Sequence, residues 1–592
     1  MDAALRALRE AVEGARLPLQ LPGADAARRD RALLLDQLED YLLPRAASLD
    51  APLLAVVGGS TGAGKSTLVN ALVGDVLTRT GAIRPTTRDP VLIHHPHDAH
   101  WFTEPRILPH LPRLRSTPVG QEPATGQGTA AGEGTTPGRE PRTGASQVLR
   151  LTASAAVGPG LALLDAPDID SVVDANRHLA TQLLAAADLW LFVTTAHRYA
   201  DAVPWDLLTT AAERDVVVAV VLDRIPPPVL REVSDDLAGM LADHGLGRAP
   251  LFLLTETDLD VRGMLPPEAV GDLHRWLTSL TDDAAARTEV ARRTLVGAVR
   301  SATAAAGSLA ASVGEQAVAT EEMADQLAQV FDVTELLTRV TDGALLRGEV
   351  LSRWQDFVGT GELFRSVEST VGRLRDRATA FLTGRPRPAR RVEHALEQGL
   401  HSVLVEQADQ AAHRAYTHLW QQPAGRPLLP GPELERAEAT FSADAAAAIR
   451  QWQRFVLELV RTEGQDKRAT ARVLAFGVNS LAVVLMVLAF ASTGGLVGAE
   501  VAIAGGTAVV AQKLLEAIFG DQAVRRLATR ARADLTERVT ALFEAERDRF
   551  TALLPDAAMA RTAAERLRAA GADLDSAAAC LEAGSRHPED PR

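Results

Sequence analysis

The sequence predicts an α/β domain with a mostly parallel sheet, joined to a long all-α stalk bundle that carries an apolar helical hairpin. Three observations predict it. An apolar run feeds a glycine-rich loop that opens a helix over residues 52–74. Short apolar runs alternate with helical stretches from residue 51 to 283. After residue 283 the strand signals stop, and apolar residues recur with a helical period.

Composition frames these elements. A chain of 592 residues holds about two to four domains and can bury a core. The net charge is −14 and no Lys/Arg-rich block occurs, so nucleic acid is not an expected partner. The single cysteine, Cys580, excludes an intramolecular disulfide and a Cys-type zinc site, and it suits a reducing compartment. Aromatics are only 4% and alanine is abundant, which favours long helices. Met1-Asp-Ala-Ala-Leu-Arg6 has no basic stretch followed by an apolar core. No secretory signal is expected, and the body of the protein is expected in the cytosol. The alanine/arginine bias is that of a GC-rich bacterial genome.

Residues 1–50 read as an N-terminal helical segment in two pieces, split by Leu21-Pro-Gly-Ala24, the second running about Ala26 to Leu43. In 51–283 the strand candidates are Leu53–Val57, Pro90–His94, Val148–Thr152, Leu161–Asp165, Leu189–Thr194, Val216–Leu222 and Leu251–Leu254. Continuous β-branched runs of this kind suit a parallel sheet covered on both faces. Residues 116–146 are rich in Gly, Pro, Thr, Ser and Ala without an apolar period, and read as a disordered insertion.

The run Pro52-Leu-Leu-Ala-Val-Val-Gly-Gly-Ser-Thr-Gly-Ala-Gly-Lys-Ser-Thr67 fits G-x-x-x-x-G-K-[ST], with Gly59, Gly64, Lys65 and Ser66 at the defining places. Glycines let the backbone wrap a triphosphate. Lys65 is expected to reach the β/γ-phosphates and the Ser66 hydroxyl to ligate Mg²⁺. Leu68–Gly74 continues as a helix whose N-terminus faces the anion. Arginine has nearly displaced lysine, leaving only Lys65, Lys467 and Lys513, and one of the three stands where a compact ammonium is needed. The chain is expected to bind a nucleoside triphosphate.

Two further segments fit that chemistry. A threonine in Ile83-Arg-Pro-Thr-Thr-Arg-Asp-Pro90 can complete a Mg²⁺ shell and sense the γ-phosphate, or simply sit in a solvated Pro/Thr loop. Leu161-Ala-Leu-Leu-Asp165-Ala-Pro-Asp168 is a strand ending in an acid, with Asp165 placed to hold Mg²⁺ through water. The histidines at 94, 95, 97 and 100 match no zinc spacing.

Residues 284–470 read as a helical stalk, with stripes such as Val333, Leu337, Val340 and Ala344, and Val392, Leu396, Leu400 and Val403. A returning stalk helix and tail follow in 520–592, with the stripe Val524, Leu527, Ala531, Leu535, Val539 and Leu542. The period is helical rather than strictly heptad, which favours an antiparallel bundle over a two-stranded coiled coil. Between them, 471–519 read as an apolar hairpin. Val473–Ala499 is free of charge, and Val473–Ala491 alone makes about 28 Å of helix. Ser492–Gly495 reads as a turn, and Leu496–Gln512 as a second helix flawed only by Glu500. Basic residues flank both sides: Lys467, Arg468 and Arg472, then Lys513, Arg525 and Arg526. Membrane insertion with both ends on the cytoplasmic side is the expectation, against a buried helical pair.

With these residues in hand, the chain resembles the bacterial dynamin-like GTPases, in their actinobacterial, membrane-associated form. The order of parts is theirs, and the sequence support lies in Gly59–Ser66, Thr87-Arg-Asp-Pro90 and Asp165-Ala-Pro-Asp168. The resemblance implies a P-loop GTPase domain that holds GTP and Mg²⁺ with Gly59, Ser60, Thr61, Gly62, Ala63, Gly64, Lys65, Ser66 and Thr67. It makes Thr87 the first-switch threonine and Asp165 the second-switch aspartate. Lys65, Ser66, Thr87 and Asp165 are then the catalytic set, with Ser66, Thr87 and Asp165 toward the metal and Asp223 and Arg224 toward the base. It also implies slow, assembly-stimulated GTP hydrolysis, a homo-oligomer or a hetero-oligomer with a paralogous subunit, and a bacterial cell membrane with the GTPase domain on its cytoplasmic side. The process the resemblance implies is membrane remodelling in envelope maintenance, fusion or septation.

Three departures stand out. Thr61-Gly62 replaces the Gln-Ser of the eukaryotic loop. Asp168 stands where the second switch usually ends in glycine. The guanine-reading [NT]-K-x-D survives only as Asp223-Arg224-Ile-Pro226, with proline in place of the carboxylate. Guanine as the base therefore comes from the resemblance. The alternative function is a nucleotide-binding membrane scaffold with little hydrolysis.

Overall fold

The computed structural model describes residues 1–78, 89–104, 107–109, 111–115, 148–170, 174–213, 216–341, 388–463 and 521–583. These form two compact units. One comprises Met1–Leu17, Pro22–Glu315 and the stretch from Ala558; the other comprises Pro18–Leu21 and Gln316–Ala557. The insertion expected at 116–146 and the apolar hairpin expected at 471–519 lie outside the described residues. Among the described residues, no helix is long and apolar enough to cross a membrane.

The first unit is built on an eight-stranded sheet in the order β3-β4-β2-β5-β1-β6-β7-β8. Its strands are β1 (Leu53–Gly59), β2 (Val91–His94), β3 (Arg113–Arg115), β4 (Leu149–Ala153), β5 (Leu161–Asp165), β6 (Leu189–Thr195), β7 (Val217–Ile225) and β8 (Leu251–Thr255). All neighbours pair in parallel except β2 and β5, which meet antiparallel with Val91 opposite Asp165. The seven strands expected from the sequence are present. β3 was not among them: Arg-Leu-Arg has no apolar period, and the strand lies half-exposed at the sheet edge.

Both faces of the sheet are covered, so the inner strands alternate between two cores. On β1, Leu54 and Val56 join one core while Leu53, Ala55 and Val57 join the other. The first core takes Leu5, Leu8 and Val12 from α1 (Asp2–Gly14) and Leu34 from α2 (Ala24–Gln37). A π-turn at Leu38–Leu42 then leads into α3 (Leu43–Ala47). The second core is closed by α4 (Lys65–Val73), which follows β1 directly. The remaining helices of the unit are α5 (Ala99–Thr103), α6 (Asp174–Ala185), α7 (Ala202–Glu213), α8 (Leu230–Asp243) and α9 (Pro267–Thr281). Helix α10 (Ala284–Val330) belongs to this unit up to Glu315 and to the other from Gln316.

A buried cluster ties the N-terminal helices to the sheet. Asp188, immediately before β6, accepts hydrogen bonds from the Leu54 N–H at 2.8 Å and the Tyr41 hydroxyl at 3.1 Å, and it pairs with Arg45. Arg45 also donates to the carbonyls of Ala51 at 3.0 Å and Pro52 at 3.1 Å. One guanidinium thereby closes the turn between α3 and β1.

The second unit is helical: the end of α10, α11 (Thr334–Thr341), α12 (Pro388–Gln421), α13 (Phe441–Glu463) and α14 (Asp521–Thr551). Its core takes Leu404, Ala408, Ala411, Ala415 and Leu419 from α12 and Ile449, Trp452, Val456 and Val460 from α13. Val524, Leu527, Ala531, Leu535 and Val539 of α14 complete it, the stripe legible in the sequence. The Trp452 indole N–H donates to the Ala531 carbonyl at 2.8 Å, so a large apolar ring is buried with its polar atom satisfied. The last helix, α15 (Ala557–Ala583), packs in the first unit, where Leu567 and Leu574 share a core with Leu5 and Leu8.

Candidate nucleotide site

The site lies in the first unit, where the carboxyl ends of β1, β5, β6 and β7 meet the start of α4. Two glycines make its backbone possible. Gly59 has φ +150°, and a Cβ there would stand 2.0 Å from the Val193 carbonyl oxygen. Gly64 has φ +94° and caps α4; a Cβ there would stand 2.4 Å from Asp223 Oδ2. A side chain at Gly59 would collide with the Val193 backbone, and at either position the positive φ disfavours any residue but glycine.

Lys65, at the first turn of α4, is buried and folds back across the loop. Its Nζ donates to the carbonyls of Gly59 at 2.9 Å and Ser60 at 3.0 Å and to Asp168 Oδ1 at 2.5 Å. Beside it the Ser66 hydroxyl donates to Asp165 Oδ2 at 2.7 Å. Asp165 is fully buried, and its Oδ1 has no hydrogen-bond partner. Burial pushes its carboxyl up to about 6, against the lowering pull of the Ser66 hydroxyl and the Lys65 ammonium. An under-satisfied carboxylate next to a serine hydroxyl is the oxygen-donor chemistry that a hard divalent cation prefers. The residues present fit Mg²⁺.

Sequence reasoning missed four supporting residues. Asn70 holds the chain after α4: its Oδ1 accepts the N–H groups of Leu77 at 3.0 Å and Thr78 at 2.9 Å, and its Nδ2 donates to the Thr78 carbonyl at 2.9 Å. Thr78 in turn donates its hydroxyl to the Ser66 carbonyl at 3.1 Å. Asp170 Oδ1 accepts both the Thr61 N–H and the Thr61 hydroxyl, each at 2.6 Å. Arg198 pairs with Asp170 at 2.9 Å and donates to the Thr61 carbonyl at 2.9 Å. Asn70 carried a signal, a polar residue one helical turn beyond the loop. Thr78 stands 12 residues past Ser66 in an unremarkable run, and Asp170 and Arg198 are common residue types far away in sequence, joined to the loop only by the fold.

Asp223 and Arg224, expected toward the base, do reach the loop. Asp223 is buried and faces Gly64, and burial raises its carboxyl above the usual range, against the lowering charge of Arg224. Arg224 adopts φ +55°, rare for a non-glycine residue, and its guanidinium donates to the Gly62 carbonyl. Ala63 is buried in the loop and Thr67 continues α4. Thr87 lies outside the described residues. The structure thus assembles the loop, Lys65, Ser66, Asp165, Asp223 and Arg224 around one point. Among the described residues no group of three or more His, Cys, Asp or Glu is arranged to hold a metal ion, and His94 is buried against Phe102.

A mostly parallel sheet, a glycine loop at a strand's carboxyl end and a lysine at the following helix define a P-loop nucleoside-triphosphate-binding domain. Comparison with known proteins narrows that class: residues 54–222 match the family model described as Dynamin family. Residues 54–222 are thus a stretch of the dynamin-family type. Comparison with curated proteins gives no match. Among solved structures the chain is similar to proteins described as an oligomerised bacterial dynamin pair that provides a mechanism for the long-range sensing and tethering of membranes. One is 10% identical with a TM-score of 0.40, covering 99% of this chain and 95% of that chain. A second is 11% identical with a TM-score of 0.35, covering 94% and 95%. It is also similar to the LeoA bacterial dynamin GTPase from ETEC, at 10% identity and a TM-score of 0.23, over 98% of this chain and 97% of that chain. Likenesses this low carry no residue-level detail across.

Proposed function

We propose that this dynamin-like protein binds and slowly hydrolyses GTP and couples the cycle to self-assembly on a membrane surface. The observation that carries the nucleotide reading is the convergence of Lys65, Ser66 and the buried Asp165 on the Gly59–Gly64 loop. In this reading the loop N–H groups and Lys65 bind and orient the phosphates. Ser66 and Asp165, with Thr87, hold Mg²⁺. The bound cation supplies charge neutralisation at the phosphates. Asp223 and Arg224 sit toward the base, next to the loop they already contact. Phosphoryl transfer needs little covalent help, so positioning and charge account for turnover, and assembly supplies what a lone subunit lacks.

The membrane part rests on the charge-free run Val473–Ala499 and its basic flanks. We place the GTPase domain on the cytoplasmic side of a bacterial membrane, in a homo-oligomer or with a paralogous subunit. In this reading 1–50 is an N-terminal helical segment, 51–283 the GTPase domain, 284–470 the stalk, 471–519 the hairpin and 520–592 a returning stalk helix and tail. The Asp168–Lys65 pair favours a second reading, a membrane scaffold that holds nucleotide with little hydrolysis. Phosphate release from GTP and from ATP, with and without anionic liposomes, separates the two. Lipid-stimulated GTP turnover that disappears in Lys65→Ala supports the first; tight binding without turnover leaves the scaffold.

A further inference from the structure

Two carboxylates on the short segment after β5 hold groups that a triphosphate needs. A lysine ammonium has three N–H donors, and in Lys65 they meet Gly59 O at 2.9 Å, Ser60 O at 3.0 Å and Asp168 Oδ1 at 2.5 Å. A phosphate oxygen that reaches Nζ must take the place of one of them. The two carbonyls belong to the loop's own backbone, so the exchangeable partner is Asp168. Two residues on, Asp170 takes the Thr61 N–H, a donor of the same loop, and the Thr61 hydroxyl, each at 2.6 Å. Arg198 braces this contact, bonding Asp170 and the Thr61 carbonyl at 2.9 Å each and Asp201 at 3.2 Å. One strand tip therefore places two anionic groups on the face of the loop that receives an anion.

We propose that Asp168 and Asp170 form an acidic latch that competes with the nucleotide's phosphates for Lys65 and the Thr61 N–H. Nucleotide then enters only as the segment Ala166–Asp170 withdraws from the loop. Like charges cannot share these donors at hydrogen-bond range, so the latch and the triphosphate exclude each other. The latch sets affinity. This inference rests on the reading of the loop as a nucleotide site.

The test is calorimetric titration of the full chain with guanosine 5′-(β,γ-imido)triphosphate and Mg²⁺. The variants are Asp168→Asn, Asp168→Ala, Asp170→Asn, Asp168→Asn with Asp170→Asn, and Asp201→Asn. Asp201 touches Arg198 but no loop donor, so it controls for general loss of negative charge. Each latch substitution is expected to tighten binding by about tenfold, the double variant further, and Asp201→Asn by less than about twofold. Measurable binding by the double variant alone also supports the latch. Wild-type binding that Asp168→Asn and Asp168→Ala leave unchanged or weaken overturns the latch and spares the nucleotide reading. Equal tightening in Asp201→Asn overturns it as well. No binding by any variant overturns both.

Discussion

Asp165 concentrates the electrostatics of the site in one side chain. Its carboxyl is fully buried, bonded on one oxygen and unpartnered on the other, and burial lifts it to about 6. A carboxyl raised in the folded state contributes stability that is complete below its ordinary 3.8 and is lost as pH rises through about 6. At neutral pH in chelator the ionised group is therefore a liability, on the order of 3 kcal/mol. Asp165→Asn is expected to raise the melting temperature in EDTA at pH 7.5 and to abolish the stabilisation that Mg²⁺ gives the wild type. Thermal melts with and without Mg²⁺ check both, and an Asn variant that melts lower in EDTA contradicts the account. Lys65→Ala removes the one lysine ammonium at the loop among the described residues and is expected to weaken GTP binding at least about a hundredfold, measured by the same calorimetry. The loop was legible because its chemistry needs contiguous residues. Asp170 and Arg198 were not, because an Asp or an Arg in an unremarkable run has no signal until the fold brings it to Thr61.

At the scale of elements, the buried Arg45–Asp188 pair joins α3, β1 and β6. Removing one partner leaves the other charge buried without compensation. Arg45→Leu is expected to destabilise the first unit by about 3–5 kcal/mol, read by urea denaturation. Replacing both, as Arg45→Leu with Asp188→Leu, is expected to recover part of that loss, although the Leu54 N–H then lacks its acceptor. Six of the seven strands visible in advance lie inside the sheet, where cover on both faces makes nearly continuous apolar runs; the edge strand β8 was visible from its own apolar run, Leu251–Leu254. The mostly parallel direction was legible too, but the one antiparallel pairing was not. Nothing in Val91–His94 itself tells that it meets β5 antiparallel, since direction is decided by how the chain returns to the sheet. The stripe Val524–Val539 likewise announced a helix with one buried face, and the partner helix emerged only with the packing around Trp452 and Ala531.

For the whole molecule, the membrane reading yields a separate expectation. Replacing 471–519 with a short Gly/Ser linker should abolish co-sedimentation with anionic liposomes and leave nucleotide affinity within about twofold of wild type. Retained sedimentation would move membrane contact to another part of the chain. The two units also differ in how their chain is gathered. The second is nearly one continuous stretch, Gln316–Ala557, whereas the first sets Leu5 and Leu8 beside Leu567 and Leu574. Ribosomes deliver residues in order, so the GTPase unit waits for its last core helix until the helical unit has been made. Its closure follows synthesis of the helical unit, and a chain stalled before residue 557 lacks Leu567 and Leu574 from that core. Chaperone capture of such stalled chains, falling once α15 is released, is the cellular trace this order of assembly should leave.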